Sequence, residues 1–273
     1  MDDRKAIIVG ISGCSSSGKT TLARLLRDIF PNTFILHEDD FYKPEDQLPI
    51  RHGLVDWDCA EALSIPDMER ALSHIRTTGT FPPTLLSKED QNSVGASPIT
   101  ETHLQSAKTR VTNWLSPPNP GSLIFSSSSS SPPKICLLDG FLLYHPPTFR
   151  HIMSALDIKL FLRVSRSKAT QRREARDGYV TLEGFWQDPP GYVDKIVWPN
   201  YAASHAWLFE GGDVERGVLD QSVLEREGIL VAGMGREERQ KIDPDFGETL
   251  DWAVGTVMAE LERIVLGKKG EGA

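Results

Sequence analysis

The chain has 273 residues, 39% of them hydrophobic and 25% charged, the balance of a globular domain long enough to bury a sizeable core. A formal net charge of −8 and a pI near 5.4 exclude nucleic acid as a natural partner, because such a surface repels a polyphosphate backbone unless a dense basic patch intervenes. No run approaches the roughly 18 consecutive apolar residues of a membrane span. The charged start Met1-Asp2-Asp3-Arg4-Lys5 and the short apolar run after it do not make a secretory leader. Cys14, Cys59 and Cys136 lack metal-ligand spacing and suit a reducing compartment. The expectation is a cytoplasmic protein, with nuclear presence left open, that is a monomer or weak dimer.

In chain order, Ala6 to Ile11 is a β-branched run of the kind that makes a fully buried parallel strand. After a glycine-rich turn, Leu22, Leu25, Leu26 and Ile29 recur at helical spacing until Pro31 closes the helix. Thr33 to Leu36 predicts a second strand, which runs into the acidic tract Glu38-Asp39-Asp40. Cys59 to Arg76 predicts a helix with Leu63, Met68, Ala71, Leu72 and Ile75 on its apolar face.

From Thr77 to Pro133, prolines, polar residues and the run Ser126–Ser131 take over. This composition predicts a low-complexity, largely disordered insertion over 80–133, with one helical stretch at 103–115 and no chemistry of its own. Its deletion over 90–132 is expected to leave turnover near normal. Ile135 to Leu138 then forms a third strand ending at Asp139-Gly140, and Asp157 to Val164 a fourth. Ser165 to Arg176 is a basic helical segment, and 165–200 as a whole reads as a lid rich in glycine, proline and aromatic residues. Tyr201 to Glu210 predicts a helix, Gly228 to Ala232 a fifth strand, and Phe246 to Leu266 an amphipathic helix. Strands alternating with helices predict one α/β domain over 1–273, built on a doubly wound, mostly parallel five-stranded sheet flanked by helices.

Gly13-Cys14-Ser15-Ser16-Ser17-Gly18-Lys19-Thr20 satisfies G-x-x-x-x-G-K-[ST] in full, with a strand before it and a helix after it. Its glycines let backbone N–H groups curl around a phosphate, and the helix that follows points its positive end at the anion. The fold class is therefore a P-loop NTPase, with ATP and Mg²⁺ as expected cofactors. Gly13, Ser15, Ser16, Ser17, Gly18, Lys19, Thr20 and Thr21 line the nucleotide, Lys19 reaches the β- and γ-phosphates, and the Thr20 hydroxyl ligates the metal. No guanine-specificity tetrapeptide occurs in a suitable place, which argues against a GTPase.

Carboxylates at the carboxyl ends of parallel strands point into the ligand crevice of such sheets. Asp39-Asp40 and Asp139 are so placed. In an extended segment adjacent side chains face opposite ways, so one member of the pair is expected to enter the site and the other to play a structural role. Asp139, after its apolar run, is like the acid that ends a Walker-B strand; a plain strand-end turn residue is the alternative. Arg172, Arg173 and Arg176 lie three and four apart, on one helical face, where they close over phosphates or pair with Glu174 in solvent.

Several separated stretches resemble the nicotinamide riboside kinase family, within the wider group of uridine, pantothenate and phosphoribulose kinases. They are Val9-Gly10-Ile11-Ser12-Gly13 running into Ser17 to Ala23, Asp39-Asp40-Phe41-Tyr42-Lys43-Pro44-Glu45, Gly53 through Asp58 into Glu61-Ala62-Leu63, Asp139-Gly140-Phe141-Leu142-Leu143, and Pro190-Gly191-Tyr192 with Val197-Trp198-Pro199 and Tyr201. The resemblance spans most of 6–77 and 134–210. It implies ATP-dependent phosphorylation of the 5′-hydroxyl of a small nucleoside, nicotinamide riboside or nicotinic acid riboside. Asp39 would be the general base, working with Lys19, and Tyr42 would line the acceptor site. Asp58 and Arg173 would bind the ribose hydroxyls, Trp57 and Tyr179 would sandwich the cationic ring, Arg172 and Arg176 would touch the phosphates, and Thr20 and Asp139 would serve the metal. The family commonly has tyrosine at position 57 and glutamate at position 139, so metal contact through Asp139 would run through water. A uridine-type or pantothenate-type kinase, or a non-catalytic nucleotide-binding module, are the alternative readings.

Overall fold

The apolar runs of the sequence become a stack of buried parallel strands. Residues 4–87, 98–125, 132–176, 178–181, 184–232 and 242–267 are described by the structure, a computed structural model. The strands are β1 (Ala6–Gly13), β2 (Thr33–His37), β3 (Ile50–Arg51), β4 (Leu54–Val55), β5 (Lys134–Gly140), β6 (Ile158–Leu162), β7 (Tyr179–Thr181), β8 (Gly184–Trp186) and β9 (Ile229–Val231). The helices are α1 (Lys19–Ile29), α2 (Ile65–Thr78), α3 (Glu101–Leu115), α4 (Pro120–Phe125), α5 (Pro146–Ala155), α6 (Arg166–Glu174), α7 (Trp198–His205), α8 (Gln221–Glu227) and α9 (Phe246–Leu266). The main sheet has five strands in the order β2-β5-β1-β6-β9, each pair parallel. β3–β4 and β7–β8 are separate antiparallel hairpins.

Every residue of β1 is buried, as a central strand covered on both faces demands. One face packs against α2, α5 and α7 through residues such as Ile8, Leu36, Met68, Leu72, Phe149 and Phe161. The other packs against α1, α3 and α9 through Val9, Ile11, Leu22, Leu26, Val254 and Val257. With β5 on one side of β1 and β6 on the other, the crevice opens at the carboxyl end of β1, the topological switch point at which such sheets bind ligands. There the register sets Ile11 opposite Asp139 and His37 opposite Asp139.

The structure differs from the sequence expectation in three places. The segment 98–125, placed by composition inside a largely disordered insertion, forms not only the helix expected at 103–115, as α3, but also α4, and the two bury Ala107, Val111, Trp114 and Ile124 against α1 and α9. Trp114 meets Phe30 and Phe125 edge-on at 6.3 and 6.1 Å and donates its indole N–H to Glu262 at 2.7 Å. Removing 90–132 would strip this surface, so near-normal turnover is no longer the expectation for that deletion. The serine run itself lies outside the described residues. The helix expected from Cys59 begins instead at Ile65, after a 3-10 turn at Ala60–Ala62, because Pro66 is preorganised for a first turn and lacks the N–H a helix interior needs. The helix expected over Tyr201–Glu210 is an α-helix only from Trp198 to His205 and then tightens into 3-10 turns.

Candidate active site

The phosphate loop is held open by backbone conformations that few residues tolerate. Gly13 and Gly18 have φ of 147° and 97°, and a Cβ at Gly13 would lie 2.3 Å from the Leu162 carbonyl oxygen. At Gly18 it would meet the Phe246 ring of α9 at 2.6 Å. The Ser17 N–H donates to the Cys14 carbonyl at 3.1 Å, and Lys19 Nζ donates to the same carbonyl at 2.9 Å. The Ser12, Ser16 and Ser17 hydroxyls are buried and have no hydrogen-bond partner among the described residues. Thr21 is half-buried at the start of α1. Burial pulls the Lys19 ammonium down from the usual lysine range, while the charges of Asp139, Asp39 and Glu38 push it back up.

Those three acids surround Lys19 in different ways. Asp139 Oδ2 accepts from the Thr20 hydroxyl at 2.6 Å, and its Oδ1 lies 2.6 Å from His37 Nδ1. Burial opposes its ionisation, but His37, Thr20 and Lys19 outweigh burial and hold the carboxyl below the usual range. Glu38, not singled out from the sequence, is fully buried and accepts from the Phe141 and Leu142 N–H groups at 2.6 and 3.1 Å. Burial nonetheless raises it to about 8. Asp39 and Asp40 sit on a 3-10 turn, Glu38–Phe41, rather than on an extended strand, so they diverge by about 120° instead of facing opposite sides. Asp40 is buried; Asp39 is half-buried, and its charge acts on both Lys19 and Tyr42. The structure thus brings Asp39 together with the lysine of the phosphate loop.

Across from these acids, Arg173 of α6 reaches Asp58. Nη1 donates to Asp58 Oδ1 at 2.8 Å and Nη2 to Oδ2 at 3.1 Å, a bidentate pair with side chains 7% and 5% exposed. Nη1 also donates to the Ser15 hydroxyl at 2.8 Å, tying the lid to the phosphate loop. Burial raises the Asp58 carboxyl, opposed by Arg173, and the surrounding acids keep the guanidinium charged. Asp56, fully buried, takes the Asp58 N–H at 3.0 Å and both hydrogen bonds of the Asn200 amide at 2.9 Å, fixing the Trp57-Asp58 strap.

Trp57 is buried, edge-on to Tyr42 at 5.2 Å, and its indole N–H has no partner among the described residues. The lid ring brought onto it is Trp186, with centroids 5.6 Å apart. Tyr179, the expected second slice of the sandwich, instead has the guanidinium groups of Arg173 and Arg176 5.2 Å from its ring centre, and its buried hydroxyl is unpartnered among the described residues. Arg172 Nη1 donates to the Ser16 carbonyl at 3.2 Å. Arg176 lies just past the end of α6 at Glu174, yet its guanidinium meets the same Tyr179 ring as that of Arg173. Sequence reasoning missed Asp188, Tyr192, Asp56 and Glu38 as site residues. Tyr192 stood in Pro190-Gly191-Tyr192, Asp56 in the Gly53–Asp58 stretch and Glu38 in the acidic tract, none with a role assigned, and Asp188 carried no signal. A small open pocket adjoins the loop, lined by Ser17, Arg163, Lys168, Arg172, Asp243 and Phe246 among others.

No protein-family profile matches the chain. Curated relatives do. Nicotinamide riboside kinase of Schizosaccharomyces pombe is 38% identical over 220 residues, covering 81% of this chain and 88% of that protein. Those of Eremothecium gossypii and Saccharomyces cerevisiae are 37% and 34% identical, each covering 81% of this chain and 85% of the relative. With a P-loop fold, a lysine ringed by acids and likeness of this extent, the chain belongs to the nicotinamide riboside kinase family.

Proposed function

We propose that this protein transfers the γ-phosphoryl group of ATP to the 5′-hydroxyl of nicotinamide riboside, giving the mononucleotide used in NAD synthesis. The observation that carries the reading is the convergence on one loop. Asp39 and Asp139 both act on Lys19, while Arg173 links Asp58 to Ser15 of the same loop.

The residues fit the cofactors. A glycine-bounded turn with the buried Ser16 and Ser17 hydroxyls unpartnered among the described residues suits a triphosphate. Thr20 and Asp139 would hold Mg²⁺; the described residues contain no cluster of three or more metal-ligating side chains, so its remaining ligands would be phosphate oxygens and water. When bound, the ion supplies neutralisation of the charge that builds on the transferred group. Lys19 and Arg172 would bind phosphate oxygens. Asp39 would orient the acceptor hydroxyl and take its proton. Asp58 would accept hydrogen bonds from the ribose hydroxyls, held in place for this by Arg173. Tyr42, Trp57 and Trp186 would face the pyridinium, with Tyr179 at the edge of the site, because aromatic faces attract cations by about 0.5–2 kcal/mol.

The test is turnover of a nucleoside panel with ATP and Mg²⁺. Nicotinamide riboside should be phosphorylated far faster than uridine or pantothenate. Turnover of uridine without nicotinamide riboside would overturn the substrate.

A further inference from the structure

We propose that Asp188 is the positioning residue of the acceptor site, a latch that sets Arg173 and Trp186 as one unit. This rests on the reading that Asp58, held by Arg173, binds the acceptor.

The reasoning starts from the donors of a guanidinium, which has five N–H groups in a rigid fork. Arg173 spends all five. Nη1 serves Asp58 and Ser15, Nη2 serves Asp58 at 3.1 Å and Asp188 Oδ1 at 3.2 Å, and Nε serves Asp188 Oδ2 at 2.6 Å. The fork is therefore gripped from two sides, by Asp58 across its tip and by Asp188 along its Nε edge. Flat aromatic faces confine it further, with Tyr179 at 5.2 Å and Tyr192 at 5.5 Å from its carbon. A long side chain that would otherwise sample many rotamers is left with one position.

Asp188 also accepts from the Trp186 indole N–H at 3.0 Å. That ring lies 5.6 Å from Trp57 and 6.0 Å from Tyr192. One carboxylate thus fixes both the cation that clamps Asp58 and the aromatic ring of β8 that covers Trp57. Asp58 and Asp188 are 130 residues apart in sequence numbering, yet they share one guanidinium. Asp188 itself needs no contact with the acceptor to act in this way.

The experiment compares Asp188→Ala, Asp188→Asn and Trp186→Phe in the full chain. Asp188→Ala should raise the acceptor KM roughly ten- to a hundred-fold, the range lost with a hydrogen bond to a charged group, while the ATP KM changes less than about threefold. Asp188→Asn, which keeps an oxygen for one donor but loses the charge, should fall between. Trp186→Phe leaves Arg173 gripped and should raise the acceptor KM less than Asp188→Ala does. Hydrogen exchange over α6 and residues 184–200 should speed up in Asp188→Ala. A wild-type acceptor KM in Asp188→Ala, with only a lowered melting temperature, would overturn the proposal and make Asp188 merely structural. Unchanged exchange would overturn it whatever the acceptor. Failure of the wild-type protein to phosphorylate any nucleoside would instead overturn the function assigned above, and the exchange measurement would still judge the latch.

Discussion

Replacing Arg173 by methionine tests the electrostatics of the site in a way that pH can resolve. The Arg173 and Asp58 side chains are 7% and 5% exposed, so the variant leaves a buried carboxylate without its counter-charge. Breaking such a pair by removing one partner costs about 3–5 kcal/mol. Asp58 has an escape, because burial already raises its carboxyl and Arg173 is the chief influence pulling it down. Without Arg173 the folded pKa rises further above the unfolded value of about 3.9. A group whose folded pKa is raised binds its proton more tightly in the native state, so its stabilisation is present at low pH and lost as pH rises toward the folded pKa. The deficit of Arg173→Met relative to wild type should thus be largest near pH 8. It should shrink by up to about 1.4 kcal/mol for each pH unit lowered within that window. Urea unfolding followed by circular dichroism at pH 5.5 and 8 measures both values. An equal deficit at the two pH values, or a loss below about 1 kcal/mol at pH 8, would refute the reasoning.

Asp39→Asn should lower kcat by about 10²–10⁴-fold in a phosphotransfer assay while leaving the ATP KM nearly unchanged, as expected for a positioned base. Trp114→Ala should destabilise the fold by about 3–5 kcal/mol in denaturant titrations, since the ring is buried between α3, α4 and α1. His205 is fully buried against Phe161 and Tyr201, and burial lowers it from 6.5 to about 3. Its depressed pKa gives a stabilisation present above pH 6.5 and lost as pH falls toward 3, at about 1.4 kcal/mol per unit. The difference in unfolding free energy between wild type and His205→Gln should follow that slope between pH 6.5 and 4.5, and a flat difference would refute it.

Much of this fold can be read without coordinates because its signals are local. The apolar runs at Ala6–Ile11 and Ile135–Leu138 and the leucines of α1 each report their own burial, and the phosphate loop reports its geometry through Gly13 and Gly18. Over 98–125 the helix at 103–115 is legible, but the polar composition and the nearby serine run give no sign of α4 or of the packing of Trp114 on Phe30 and Phe125. The site divides the same way. Lys19, Thr20, Asp39 and Asp58 stand in motifs. Asp188 does not, and the role of Asp56 is not stated by the Gly53–Asp58 stretch it lies in, because both accept hydrogen bonds from residues elsewhere in the chain, Arg173 and Asn200, and no period or spacing encodes such a meeting. Trp186 lies in the aromatic-rich lid, but its place on Trp57 depends on how the β7–β8 hairpin folds back.

The Phe246 ring that rests on Gly18 gives the last helix of the chain a task remote from its own end. The same helix carries α3 and α4 along its flank, so a segment that looks like an ornament of the surface helps to brace the floor beneath the nucleotide. Truncation ahead of residue 246, or loss of the helical pair, would remove the support on which that glycine turn leans.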